Sequence, residues 1–162
     1  LTLLLNCGIR ISELVGINIT DYRDDTIKIS GKGNKERTIY LNDACRNAIN
    51  EYMAVRPNDK AVDKNAMFLS ERYTRISRKT VHVIVKKQLS NAGIDTTKYS
   101  AHKLRHTAAT LMYKHGDVDI RALQRILGHE SIATTEIYTH LDDEQLRSAT
   151  KKNPLADYKK EK

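Results

Sequence analysis

Six histidines, at positions 82, 102, 106, 115, 129 and 140, are the first residues with chemical reach in this 162-residue chain. His102 and His106 stand one helical turn apart, a spacing that suits a metal ion. A zinc-protease helix needs Glu directly after the first His, and here Lys103 follows. Arg105 lies between the two rings and would repel a cation, and no Asp, Glu or Cys cluster stands near to complete a shell. No metal and no other cofactor is expected. The same segment suits phosphate better. His102 and Arg105 are three residues apart, on one face of a helix. A guanidinium can grip two phosphate oxygens at once, and an imidazole can donate or carry a proton near neutral pH. Further along comes Leu127-Gly128-His129, and nine residues beyond His129 stands Tyr138, inside TTEIYTHL. Upstream, GIRISEL carries Arg10 with Glu13 three residues on, and Gly31-Lys32-Gly33-Asn34-Lys35-Glu36-Arg37 forms a basic, glycine-rich loop. Taken singly each has an ordinary explanation: a helix-face ion pair, a solvated turn, a core tyrosine.

The elements that must hold these residues read as mostly helical, interrupted by one small sheet. LTLLLN is the end of an apolar helix broken at Cys7-Gly8, and a short amphipathic piece follows with Ile11, Leu14, Val15 and Ile17 on one side. Residues 26–30 (TIKIS) and 36–41 (ERTIYL) alternate at period two, as half-buried strands do, and GKGN joins them as a hairpin. Asn42-Asp43 caps a helix to about Val55. RPNDKAVDKNA is linker-like, and AMFLS after it is a third, edge strand. Ser77 caps a helix to about Asn91, closed by Gly93, and Ser100 caps one from Ala101 to Lys114, ended by Gly116. Asp119 to Leu127 is another, stopped by Gly128. Ser131 opens one through Thr139, and Asp142-Asp143 starts the last, which Pro154 ends or kinks.

In this order, GxRxSEL, GKGNKER, HxLRHTxAT, LGH and TTxxYTH resemble the catalytic domain of tyrosine recombinases, the phage integrase family. Within it the Xer-type and mobile-element integrases are most similar. The resemblance runs from Leu5 to about Ala156. It implies an α+β fold, mostly helical, with a small antiparallel three-stranded sheet at one side. It also implies that residues 1–162 form a single catalytic domain, N-terminally truncated, with the family's core-binding domain absent. Carried over by residue, it makes Arg10 and Arg105 the phosphate-clamping arginines and Tyr138 the nucleophile. His102 matches the first motif histidine, His129 a position that is His or Trp in relatives, and Lys32 the lysine of the hairpin, with Lys35 a poorer match. Glu13 matches an acidic residue that orients the first arginine. Cys7 stands where Thr is usual, which concerns helix packing.

The implied reaction cleaves DNA to a 3′-phosphotyrosine and a free 5′ hydroxyl, then exchanges strands, without metal or ATP. The chemistry fits the residue types. A free phenol has a pKa of about 10, so it needs positive charge nearby to act as a nucleophile at neutral pH. Lys32 can protonate the leaving 5′ oxygen. Double-stranded DNA is thus the expected partner. Arg72, Arg75, Arg78, Lys79, Lys86 and Lys87 crowd one loop-helix region suited to tracking phosphates, with Lys103 and Lys114 on the next helix. The resemblance implies that the C-terminal segment docks on a neighbouring protomer, as a homotetramer on DNA; equally, Leu141 and Leu146 could fold back onto the domain's own core. Two other functions compete: a catalytically silent basic DNA-binding module, and relaxation of DNA like that of a type IB topoisomerase. All six catalytic positions being filled argues against the first. The Xer-like GKGNKER loop and the short C-terminal helix argue against the second.

Composition agrees. Lys and Arg number 28 against 20 Asp and Glu, a net charge of +8 that favours polyanionic partners. Hydrophobic residues make up 40%, charged residues 30%, and Gly and Pro are few, which excludes collagen-like and disordered classes. At this length about two-thirds of the unfolded surface can be buried, enough for one core without disulfides. Two cysteines, Cys7 and Cys45, make no disulfide framework, so a reducing, cytoplasmic setting is expected. No apolar run is long enough to span a membrane. There is no initiator Met, and the chain starts within LTLLL, which reads as a piece of a longer protein.

Overall fold

The computed structural model describes residues 1–31, 33, 35–116, 118–129, 131 and 133–136. Helix α1 (Thr2–Cys7) buries Leu3, Leu4 and Cys7 and stops at Gly8, whose φ of 59° is left-handed. A Cβ on Gly8 would stand 2.9 Å from Leu127 Cδ2, so only glycine lets this corner approach the end of a distant helix. After two residues, helix α2 (Ile11–Gly16) begins. Cys7 and Cys45 pack with sulfurs 3.7 Å apart, well beyond disulfide length.

Strands β1 (Tyr22–Arg23), β2 (Thr26–Ser30) and β3 (Glu36–Tyr40) form an antiparallel sheet in that order. Ile27 pairs with Ile39 and Ser30 with Glu36. Ile27, Ile29 and Ile39 face the core, as the period-two pattern requires. The third strand is β1, not residues 66–70 as expected from AMFLS. Its turn uses Asp24 in left-handed conformation, which Asp tolerates. Residues 66–69 cannot join the sheet as a continuous strand. The buried Arg56 guanidinium donates to the carbonyls of Ala66 (2.7 Å) and Met67 (3.2 Å), which a ladder would need. Only isolated bridges remain, Asn18 with Ala66 and Leu69 with Arg75.

Helix α3 (Asp43–Val55) starts where Asn42 accepts a hydrogen bond from the Cys45 amide, and α4 (Arg78–Asn91) where Ser77 accepts from that of Thr80. Helix α4 buries Val81, Val85 and Leu89, one residue per turn. Helix α5 (Ala101–His115) begins after Ser100, whose side chain makes no capping bond. Its buried stripe is Ala101, Leu104, Arg105, Ala108 and Ala109, the i, i+3, i+4, i+7, i+8 pattern of a core-facing helix. A cation thus occupies an apolar position. Helix α6 (Ile120–Leu127) is capped by Asp119, which accepts from two amides, and it packs Leu123 and Leu127 against Ala109 of α5. A short helix α7 (Ala133–Glu136) follows. Residues 137–139 of the helix expected to run on to Thr139, and the helix expected from Asp142, lie outside the described residues. Among those described, no helix is long and apolar enough to cross a membrane.

Candidate active site

The end of α6 organises the site. Gly128 adopts φ 64° and its amide donates to Arg125 O, while the His129 amide donates to Gln124 O. This pair of reversed bonds is a Schellman motif, and it leaves the next three carbonyls unpaired. Each receives a guanidinium from a different part of the chain. Arg37 Nε donates to Ile126 O (3.1 Å), Arg105 Nη2 to Leu127 O (2.7 Å), and Arg10 Nη2 to Gly128 O (3.4 Å). The partial negative charge at a helix C-terminus favours cations there. Arg105 also donates through Nη1 to Gly8 O, tying the α1 corner to the same helix end.

Glu13 sets the other side. It is the third residue of α2, and its carboxylate reaches back to the Arg10 amide (2.7 Å), half of a capping box. It also accepts from Arg10 Nη1 (2.9 Å), and from Arg37 Nη1 (2.8 Å) and Nη2 (2.9 Å) in a two-pronged pair. Burial alone would push the Glu13 carboxyl up. The bonds and charge of Arg37 and Arg10 outweigh it and hold the group below its usual value, as a carboxylate. The Glu13 side chain is 3% exposed and that of Arg10 41%, so the pair presents its cationic side to solvent.

His129 follows the Schellman turn directly. Its Nδ1 lies 3.0 Å from the hydroxyl of the buried Thr135 in α7. Burial, then the positive charges of Arg105, Arg10 and Arg37, push its pKa down to about 4, against a weaker opposite pull from Glu13. The ring is neutral at pH 7. A Thr135 hydroxyl that donates to Nδ1 would leave the ring proton on Nε2.

Arg10, Glu13, Arg105 and His129, singled out from sequence, therefore meet in one cluster. His102 is exposed one turn before Arg105 on α5. Lys32 and Tyr138 lie outside the described residues. The hairpin base is placed nonetheless: a Cβ on Gly31 would stand 3.8 Å from both Arg37 Nη1 and Glu13 Oε1. Sequence reasoning missed Arg37. The signal was there, because period two puts it on the same face of β3 as the buried Ile39.

The profile of the phage integrase family matches residues 1–145. The chain belongs to the phage integrase family. It is 60% identical to the tyrosine recombinase XerC of Caldanaerobacter subterraneus subsp. tengcongensis over 96% of this chain and 44% of that protein. The crystal structure of the XerA recombinase superposes with a TM-score of 0.79 at 36% identity, covering 92% of this chain and 54% of that one. XerH site-specific recombinase bound to its difH substrate, a pre-cleavage complex, gives 0.77 at 28% identity over 93% of this chain and 44% of that one. The chain thus spans about half the length of the curated relatives it matches.

On this integrase-family fold, Arg72, Arg78, Lys79, Lys86 and Lys87 are exposed along the loop before α4 and on α4 itself. Arg75 departs from the expectation that it faces DNA. Its guanidinium donates to Asp63 (3.0 Å), to the carbonyls of Val15 (3.0 Å) and Ile17 (3.1 Å), and to Asn18 (2.7 Å). It pins the 63–75 loop to the end of α2. Among the described residues no three His, Cys, Asp or Glu side chains cluster as metal ligands.

Proposed function

We propose that this chain is the catalytic domain of a site-specific DNA recombinase that cuts and rejoins duplex strands through a 3′-phosphotyrosine. The observation that carries the reading is the cationic frame of Arg10, Arg105 and Arg37 around a neutral His129, nine residues before Tyr138. Such fixed charge suits a phosphoryl transition state, whose equatorial oxygens gain negative charge. Neither a metal nor ATP has a part in this reading.

Tyr138 attacks phosphorus and gives up its phenolic proton, which His102 accepts unless it binds the phosphate instead. Arg10 and Arg105 balance the oxygens, and His129 donates to a non-bridging one. The bond from phosphorus to the 5′ oxygen breaks, and Lys32 supplies the proton that turns that oxygen into a hydroxyl. The phosphotyrosine keeps the energy of the diester, so a second 5′ hydroxyl can reverse the step without ATP. Exposed Arg72, Arg78, Lys79, Lys86 and Lys87 track the backbone. In this reading the chain is one catalytic domain working beside a separate DNA-clamping domain, in a cytoplasmic homotetramer joined through the C-terminal segment.

The test is covalent trapping on a nicked suicide duplex. The unsubstituted chain leaves a protein–DNA adduct after denaturation, and Tyr138→Phe binds equally but leaves none. Normal binding without any adduct indicates a silent binding module. An adduct with relaxation of supercoils but no exchange between two sites indicates a topoisomerase. Lys32→Ala is rescued by a substrate with sulfur at the 5′ bridging position, since sulfur leaves without a proton. Rescue of Lys35→Ala instead moves the role to Lys35.

A further inference from the structure

Arg37 does three things at once. It lies on β3 facing the core, with its side chain 15% exposed. Both Nη atoms hold the Glu13 carboxylate, and Nε holds Ile126 O at the end of α6. It also packs flat on Gly128: a Cβ there would lie 2.8 Å from Nη1 and 2.9 Å from Cζ. Glu13 in turn aims Arg10, and Gly128 leads directly into His129. The hairpin base at Gly31 abuts the same ion pair.

We infer that Arg37 is a positioning residue for strand cleavage, setting through one guanidinium both the aim of Arg10 and the seat of His129. The inference rests on the strand-transfer reading above. The residue type follows from the geometry. Three donors on one plane, directed at a carboxylate and a carbonyl, match the guanidinium fork, whereas a lysine ammonium is a single point on a flexible stem. Charge and shape can therefore be separated: Arg37→Lys keeps the first and loses the second, and Arg37→Gln loses both. Among the described residues, four charged groups face His129 from the elements around it, Arg105 on α5, Arg10 before α2, Arg37 on β3 and Glu13 on α2.

Both variants are made in the full chain. Adduct formation is followed in single turnover on a nicked suicide duplex carrying the recombination site of the XerC relative. DNA affinity and the NMR titration of the His129 ring are measured in parallel. Both variants keep DNA affinity within about threefold and lose roughly ten- to a hundredfold in adduct rate, the scale of a small misplacement at a reacting centre. In Arg37→Lys the His129 pKa stays low, and in Arg37→Gln it rises only in part, because burial and the charges of Arg105 and Arg10 remain. Adduct rates within about threefold of the unsubstituted chain in both variants overturn the inference. Should Arg37→Gln fail to fold, the rate of Arg37→Lys decides. No adduct from the unsubstituted chain overturns the recombinase reading beneath it instead.

Discussion

Replacing Glu13 by Gln tests the frame at a buried point. The carboxylate takes four hydrogen bonds, two from Arg10 and two from Arg37, with both oxygens in use. Glutamine has the same shape but only one acceptor oxygen, and its amide sets N–H donors against a guanidinium. Removing one partner of a buried ion pair typically costs about 3–5 kcal/mol. Here Arg10 is 41% exposed and water can resolvate it. Only the Arg37 half stays uncompensated, so we expect a loss of about 2–3 kcal/mol. At about 2–4 °C per kcal/mol for a domain of this size, the melting temperature falls by roughly 5–10 °C. Differential scanning calorimetry at pH 7 reads the stability, and adduct formation well below the new melting point reads the site. We expect cleavage to fall with the folded fraction intact, because Arg10 loses its aim. A melting temperature unchanged within about 2 °C would show that water already screens the pair and refute the reasoning.

Three further outcomes are expected. Gly128→Ala forces a left-handed backbone on alanine and a Cβ into Arg37, and should destabilise by about 1–2 kcal/mol in urea titration; a neutral result would mean the guanidinium moves aside freely. Arg75→Gln should lower stability yet leave the salt dependence of DNA binding unchanged, whereas Lys86→Ala should flatten its log–log slope by about one unit; the reverse pattern would return Arg75 to the DNA surface. Stability should fall as pH drops from 6.5 to about 4, because the unfolded chain protonates His129 before the folded one does, and Glu13, also held low, extends the loss below 4.5; urea midpoints equal at pH 7 and about pH 5 would contradict the buried, neutral ring.

Local chemistry was legible in the sequence and distant partnership was not. Asn42, Ser77 and Asp119 announce helix starts because a capping side chain bonds an amide two or three residues away. Gly128 announces a stop because few other residues adopt its backbone angles. Residues 66–69 had a strand-like pattern, but their carbonyls go to Arg56, ten or eleven positions back. Arg75 looked like one more cation in a basic run, and only the fold shows its four protein acceptors. The motif order located the cluster of Arg10, Glu13, Arg105 and His129. Arg37 hid in a charged loop because its partners, Glu13 and Ile126, are 24 and 89 positions away.

The three arginines at the end of α6 also order events during synthesis. They reach carbonyls 118, 89 and 22 positions further along the chain. A ribosome delivers Arg10, Glu13 and Arg37 well before α6 exists, since chains emerge from the N-terminus. A nascent or truncated product ending ahead of α6 therefore carries the cations without the scaffold that aims them. In the proposed reading, such a product has charge for nucleic acid but no assembled centre, and strand cleavage waits until α6 has been synthesised.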